Sequence, residues 1–191
     1  MIEKSLISLE NEIWDALHAA VSDPQDPLRT VCLSTTGMDS FPESRIVVLR
    51  RAYHASKTIE IHTDSRSEKY RQLISNPNAS LLFYDPKNQR QVRMRAAAMI
   101  DHQNPVSFQV LDTLSAHGKN LYGLDTDPGT KGKIDIQKSA NYVEENSKKH
   151  FVVIRLKILS IDFLELNRAF HKRAILSYQD NSLVSASWMM P

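Results

Sequence analysis

From Leu28 to about Ile100 the chain is a succession of short runs in which apolar and polar residues alternate, each closed by a turn signal before the next begins. That pattern constrains the fold more than any other feature, because side chains of a strand point alternately to its two faces and a half-buried strand is written with a period of two. LRTVCLSTT reads as a first strand, and Gly37 begins a turn that runs through Pro42. SRIVVLRRAY reads as a second strand and KTIEIHT as a third, with Ile59 and Ile61 alternating against Glu60 and His62. ASLLFYD and RQVRMRAAAMI give two more around the turn DPKNQ, and HFVVIRLKILSIDFLEL gives one long strand or a bent pair. HKRAILSY and SLVSASWM close the sequence as a hairpin around Gln179-Asp180-Asn181.

Helical patterns are fitted between these runs. Leu6, Leu9, Ile13, Leu17 and Ala20 recur at helical spacing over 3–21, with Ser22-Asp23-Pro24 as the stop. Ser67 suits an N-cap for SEKYRQLISNP, which Asn76-Pro77 ends. Asn104-Pro105 opens a helix running to about Ala116, and a polar helix is expected around 135–148. Residues 117–134 hold four of the five glycines and read as loop. Strands in hairpin order with helices between them imply a mainly β fold, an antiparallel barrel with peripheral helices, in one domain spanning 1–191. The regular strand–helix–strand alternation of a doubly wound sheet is absent, as are the GxGxxG and GxxxxGK[ST] loops.

Composition narrows the function. With 24 Lys and Arg against 22 Asp and Glu, the net charge of +2 gives no general attraction for nucleic acid, so any anion site is local. One cysteine, Cys32, excludes a disulfide framework and a thiolate zinc site, and the histidines form no HxxxH or HxH pair, so no metal site is expected. No apolar run reaches the ~18 residues of a membrane helix, and the acidic, amphipathic start is not a secretory signal, so the expected setting is the cytoplasm. No GxSxG elbow accompanies the Ser, His and Asp residues.

Arginines inside strands carry the chemistry. Arg45 and Arg50 bracket IVVL, and Arg90, Arg93 and Arg95 punctuate a later strand. Strict alternation puts Arg45, Val47, Leu49 and Arg51 on one face, Ile46, Val48 and Arg50 on the other, and Gln91, Arg93 and Arg95 together. Solvated strand-end charges would explain any one arginine alone. Together with Ser67 and Lys69 at a helix start they suit a phosphate, which takes paired cationic donors and the free N–H groups of a helix N-terminus.

These segments, in this order, resemble the pyridoxamine 5'-phosphate oxidase family and its FMN-binding split barrel. The family's Arg-x-Val-[Leu/Val]-Leu-[Lys/Arg] strand reads Arg45-Ile46-Val47-Val48-Leu49-Arg50. The aromatic-Thr pair reads His62-Thr63, the Ser-x-Lys helix start Ser67-Glu68-Lys69, and the Arg-Gln-Val strand Arg90-Gln91-Val92. Near the C-terminus His171-Lys172-Arg173 resembles the His-x-Arg strand. The resemblance implies a six-stranded, Greek-key-like barrel and a homodimer with FMN at the subunit interface. By it, Arg45 and Lys69 grip the FMN phosphate, with Thr63 and Ser67 as hydroxyl donors and His62 beside them. The backbone of Ile46, Val47 and Val48 lies along the flavin ring, Gln91 bonds its polar edge, and Arg173 arrives from the opposite subunit. A small-molecule substrate would meet Arg50, Arg168 and His171; neither nucleic acid nor a membrane is an expected partner.

The sequence departs from the family where substrate is held. There Ala169 stands for the substrate-binding arginine, although Arg168 is adjacent, and Arg50 stands for a lysine; at the flavin contacts Glu68 stands for a basic residue near the phosphate and Leu164 for a flavin-packing tryptophan. The leading expectation is an FMN-dependent oxidoreductase. The alternatives are a flavin or electron-transfer reductase fed by a nicotinamide donor, and a non-catalytic module for flavin or haem.

Overall fold

The computed structural model describes residues 2–131, 141–167 and 170–191. Its helices are α1 (Lys4–Ala20), α2 (Glu68–Ser75), α3 (Pro105–Asp112), α4 (Ala116–Asn120) and α5 (Glu144–His150). Its strands are β1 (Thr30–Thr36), β2 (Pro42–Val48), β3 (Arg51–Tyr53), β4 (Thr58–Asp64), β5 (Asn78–Asp85), β6 (Arg90–His102), β7 (Phe151–Glu165), β8 (Lys172–Gln179) and β9 (Ser182–Met189). Every strand pairing is antiparallel, in the order β2-β1-β5-β6-β7-β4-β3, with β8 added to β7 and β9 to β8.

The two ends of that path, β2 and β3, are consecutive in the chain, and this closes the barrel. SRIVVLRRAY, expected as one strand, breaks at Leu49 and Arg50. The N–H of Leu49 donates to the carbonyl of Arg29 at 2.9 Å, while the next N–H, of Arg50, donates to the carbonyl of Glu60 at 2.9 Å. The backbone thus passes from one edge of the sheet to the other within two residues. Counting β2 and β3 as one bent strand recovers the six-membered barrel, mainly β with helices around it. The hand-over also shifts the side-chain alternation. Leu49 is fully buried, but so is Ala52, and Arg51 lies outside against Glu60 rather than sharing the face of Arg45 and Val47 as strict alternation required.

The barrel is filled by Leu33, Leu49, Ile59, Ile61, Leu81, Phe83, Met94, Ile154, Leu156 and Ile161, all with no exposed surface. α1 lies against it through Leu6, Leu9, Ile13, Trp14, Leu17 and Ala20, the stripe written in the sequence. Truncating one of these buried leucines to alanine typically costs about 2–5 kcal/mol. α1 is also pinned by charge. Lys57, in the left-handed region at φ 50°, places Nζ 2.7 Å from Oε1 of Glu10 and over the rings of Trp14 and Tyr178. Both partners of this ion pair are buried, so removing either would strand a charge in the interior.

Several boundaries differ from the sequence reading. The first strand begins at Thr30 because Pro27–Arg29 forms a 3₁₀ turn, in which the Asp26 carboxylate accepts the Leu28 N–H at 2.8 Å. The helix expected from Pro105 to Ala116 ends at Asp112, and a second starts at Ala116 with the Ser115 hydroxyl accepting the Gly118 N–H. The polar helix expected over 135–148 appears as Glu144–His150; residues 132–140 lie outside the described residues. The long C-terminal pattern is one continuous strand, β7. The β8–β9 hairpin turns at Asp180 and Asn181, with φ 48° and 70°, the left-handed pair that a tight hairpin takes from Asp and Asn. No helix among the described residues is long and apolar enough to cross a membrane.

Candidate functional site

Arg45 and Lys69 face the same space. Arg45 is on β2, on the side that carries buried Val47, and its guanidinium reaches over β1 towards α2. It donates to the Thr35 hydroxyl, to Oε1 of Gln72 at 3.0 Å and to the Glu43 carboxylate at 3.1 Å. Gln72 is one turn beyond Lys69 on α2, so both point from one helix face. Lys69 donates from Nζ to the Thr63 hydroxyl at 3.2 Å, and that hydroxyl lies 3.0 Å from the Ser67 hydroxyl. Burial lowers the Lys69 ammonium below its ordinary value, and the charge of Arg45 lowers it further, against Asp64 and Glu68, which raise it. The two cations are near enough for their charges to repel, and Lys69 is partly dehydrated, an arrangement that costs free energy.

Ser67 occupies the N-cap position of α2 with extended backbone, as its type foretold, but makes no side-chain cap. Its hydroxyl donates instead to the carbonyl of Asp64 at 2.7 Å and meets Thr63. The N–H groups of Glu68 and Lys69 at the start of α2 are thereby left without the usual side-chain acceptor, beside the two cations. Thr35, Glu43 and Gln72 were not singled out in the sequence. The helical spacing of Gln72 from Lys69 is the one signal that pointed to it.

His62 is not brought to this cluster. Alternation along β4 turns Thr63 towards α2 and His62 to the opposite face. There it lies edge-on to Phe151 with ring centroids 5.0 Å apart, and Nε2 is 3.0 Å from Oε1 of Glu60. Burial holds its pKa below the ordinary range despite that carboxylate. Arg50 is on this side as well, close enough for its charge to add to the burial that lowers His62 and to oppose the burial that raises Tyr122.

A third group occupies the outer face of the sheet. The strand registers align Gln91 with Leu164, and Leu164 with Arg173. On the same face, Ile46 of β2 is opposite Cys32 and Cys32 opposite Leu82; Ile46, Leu82 and Tyr84 are exposed. One row further on, Ser44, Ser34, Ser80, Arg95, Ser160, Ser177 and Ser185 run in register across seven strands. Arg173 is tied to Asp162 by Nε at 3.1 Å and Nη2 at 3.0 Å. His171 is exposed at the start of β8, where its Nδ1 accepts the Asn167 N–H at 3.3 Å. A cleft of about 570 Å³ beside α1 has His171, Arg173, Phe163, Phe170 and Trp188 among its walls. Arg168 lies outside the described residues.

Comparison with known proteins agrees with this geometry. Residues 11–101 match the family model described as pyridoxamine 5'-phosphate oxidase, FMN-binding domain. A pyridoxine/pyridoxamine 5'-phosphate oxidase of Psychrobacter arcticus is 32% identical over 93 residues, 48% of this chain and 42% of that protein. One from Flavobacterium johnsoniae is 27% identical over 127 residues, 64% of this chain and 53% of that protein. The chain thus spans about half the length, or less, of these curated relatives. Among solved structures, a pyridoxamine 5'-phosphate oxidase-related, FMN binding protein of Nostoc punctiforme superimposes with a TM-score of 0.79 at 22% identity, covering 95% of this chain and 96% of that one. PhzG of Burkholderia lata, in complex with tetrahydrophenazine-1-carboxylic acid, gives 0.73 at 18% identity, covering 97% and 92%. At such identities the two structures establish the fold, a split barrel. Residues 11–101, just under half of the chain, thus match the FMN-binding domain of the pyridoxamine 5'-phosphate oxidase family, and the chain as a whole has the split-barrel fold.

Proposed function

We propose that this chain binds FMN through the recess between β2 and α2 and works as an FMN-dependent oxidoreductase. The observation that carries the reading is the hydrogen bond of Arg45 to Gln72, one turn beyond Lys69 on α2, which puts both cations at one helix face, with the lysine depressed by burial and by the charge of Arg45. A phosphate dianion supplies the charge that this pair lacks, and the Thr63 and Ser67 hydroxyls and the first N–H groups of α2 complete a set of donors around it. The donor set fits the phosphate of FMN and has no need of a metal.

From that anchor the flavin ring would lie along the backbone of Ile46, Val47 and Val48, and Gln91 would bond its polar edge. When bound, FMN supplies the redox chemistry by accepting a hydride from substrate. The protein's own part is to hold, orient and exclude water. Arg50, in the hand-over between β2 and β3, would meet an anionic substrate group, with His171, just before β8, and Arg168 as its partners in the proposal. His62 packs beneath Arg50 as a neutral ring rather than as a ligand of the phosphate.

The outer sheet face suits a second copy of the chain. Exposed Ile46, Leu82 and Tyr84 adjoin a row of serines, interrupted by Arg95 on β6, whose small side chains let another sheet approach on either side of that arginine. A homodimer joined there would bring Arg173 and His171 to the flavin of the opposite subunit. One free, half-buried cysteine is compatible with a reducing cytoplasm.

A nicotinamide-fed reductase is the second reading, favoured by Leu164 and Arg50 where the family carries other residues. The absorbance of freshly purified protein tests the main proposal. Flavin bands, or their appearance on reconstitution with FMN, are expected. A colourless protein that takes up no FMN overturns it, and a haem Soret band would place the chain among non-flavin binders. Bleaching by NADH with no turnover of a B6 phosphate would favour the reductase.

A further inference from the structure

We infer that Asp162 is a positioning residue for the flavin site: it fixes the direction of Arg173 on the face that carries Gln91. The inference rests on the reading of that face as part of the FMN site.

Asp162 lies on β7, the strand between β6 and β8, with its carboxylate on the outer face. Arg93 is directly opposite it on β6 and bonds Oδ2 through Nη2. Arg173, two residues along β8 from the direct partner Ile175, reaches back diagonally and bonds the carboxylate side-on through Nε and Nη2. One carboxylate therefore serves two guanidinium groups from the strands on either side. Burial works to raise the Asp162 pKa, and the hydrogen bonds from Arg173 and Arg93 outweigh it and hold the carboxyl ionised.

This geometry has a directional consequence. A guanidinium is planar, and Asp162 occupies the Nε–Nη2 edge, leaving the Nη1 end of Arg173 uncommitted among the described residues. Arg173 is in the same row as Gln91, with Leu164 between them, so its Cα stands two strand spacings, roughly 10 Å, from that of Gln91. The held arginine thus presents one fixed donor end over the surface where Gln91 stands. Without the carboxylate, Arg93 and Arg173 would repel each other and the long side chain would sample many rotamers, a cost paid again at each binding event.

A purely electrostatic role for Asp162 predicts the opposite sign. Removing its negative charge would leave two uncancelled cations and tighten the binding of an anionic cofactor. Orientation predicts weaker binding. The network is only half-buried and its arginine ends reach solvent, so it adds little to stability, and melting of each variant separates affinity from folding.

The experiment is FMN titration of the apo-protein, followed by flavin fluorescence, for wild type, Asp162→Asn, Asp162→Glu, Arg173→Ala and the Asn/Ala double variant. Thermal melting of each apo-protein accompanies it. Asp162→Asn is expected to weaken FMN by about tenfold, within the range for residues sharing one network. Asp162→Glu should recover most of that loss, and the double variant should bind no more weakly than Arg173→Ala, all with apo melting unchanged. Affinity that is unchanged or tighter in Asp162→Asn overturns the inference, as does a loss that persists in full when Arg173 is already absent. If Arg173→Ala binds FMN normally while Arg45→Ala and Lys69→Ala do not, the inference falls and the phosphate recess stands. Normal binding in those two would remove the flavin reading itself.

Discussion

Arg45 and Arg173 are both strand arginines assigned to the same cofactor, yet the fold treats them differently. Arg45 is enclosed by β1, β2 and α2 and held by a hydroxyl, an amide and one carboxylate, with a desolvated lysine as its neighbour. Arg173 is on an open face, its charge largely answered by Asp162. Every partner of Arg45 comes from β1, β2 and α2 of the same chain. Arg173 is paired with Asp162 on an open face, where the proposed dimer would bring a second surface. Binding strength is thus expected to reside in the recess, and geometry and assembly on the face.

The largest expected effect breaks the recess. Arg45→Ala or Lys69→Ala should each weaken FMN by about 1.5–3 kcal/mol, the scale of a charged hydrogen bond, in a titration of the apo-protein. Comparable losses from Arg173→Ala at the same protein concentration would erase the distinction between the two regions.

Dilution sharpens it next. If Arg173 reaches a partner's flavin, its contribution must vanish as the dimer dissociates, whereas that of Arg45 must not. Titrations at falling protein concentration, with light scattering to fix the assembly, should show Arg173→Ala converging on wild type. An Arg173 effect independent of concentration would place it within its own chain's site.

Titration of Lys69 gives a smaller, pH-dependent test. Its folded pKa is depressed, and a bound phosphate favours the ammonium form. FMN affinity should therefore be level at neutral pH and fall as pH rises through the lowered Lys69 value; Lys69→Arg should remove that fall. His62 reports on stability rather than affinity. Its folded pKa is below the reference 6.5, so the unfolded chain binds the extra proton. Stability should drop as pH falls from 6.5 to the lowered folded value, and His62→Gln should flatten part of that drop; His150, depressed by burial in the same way, accounts for another part. The smallest effect is expected from Glu43→Gln, which frees Arg45 from a half-exposed carboxylate and should tighten FMN by about a factor of two to five, the worth of a surface ion pair.

The sequence made the local parts of this molecule legible and left the non-local parts hidden. The α1 stripe, the hairpin turn at Asp180-Asn181 and the run of alternating strands are written in neighbouring residues, and they appear where expected. Arg45 meets Gln72 of α2, the helix that carries Lys69, and the order of motifs along the chain put those two cations in one group. The break at Leu49–Arg50 was invisible because VVLRR contains no Gly or Pro; barrel closure imposes it, and Arg51 changes side as a result. His62 and Thr63 were paired by adjacency, but a strand sends neighbours to opposite faces, and only Thr63 reached the recess. Gln72, Thr35 and Asp162 were missed because their partners are tens of residues away or on other strands.

The phosphate itself offers the most direct test. FMN and riboflavin differ by that group alone, so the ratio of their affinities for the apo-protein measures the Arg45–Lys69 recess without altering the fold. The account predicts that FMN binds at least about a hundredfold more tightly, from two charged contacts of about 1.5–3 kcal/mol each, and that the ratio collapses in the Arg45→Ala, Lys69→Ala double variant. Equal affinities of wild type for the two flavins would contradict it.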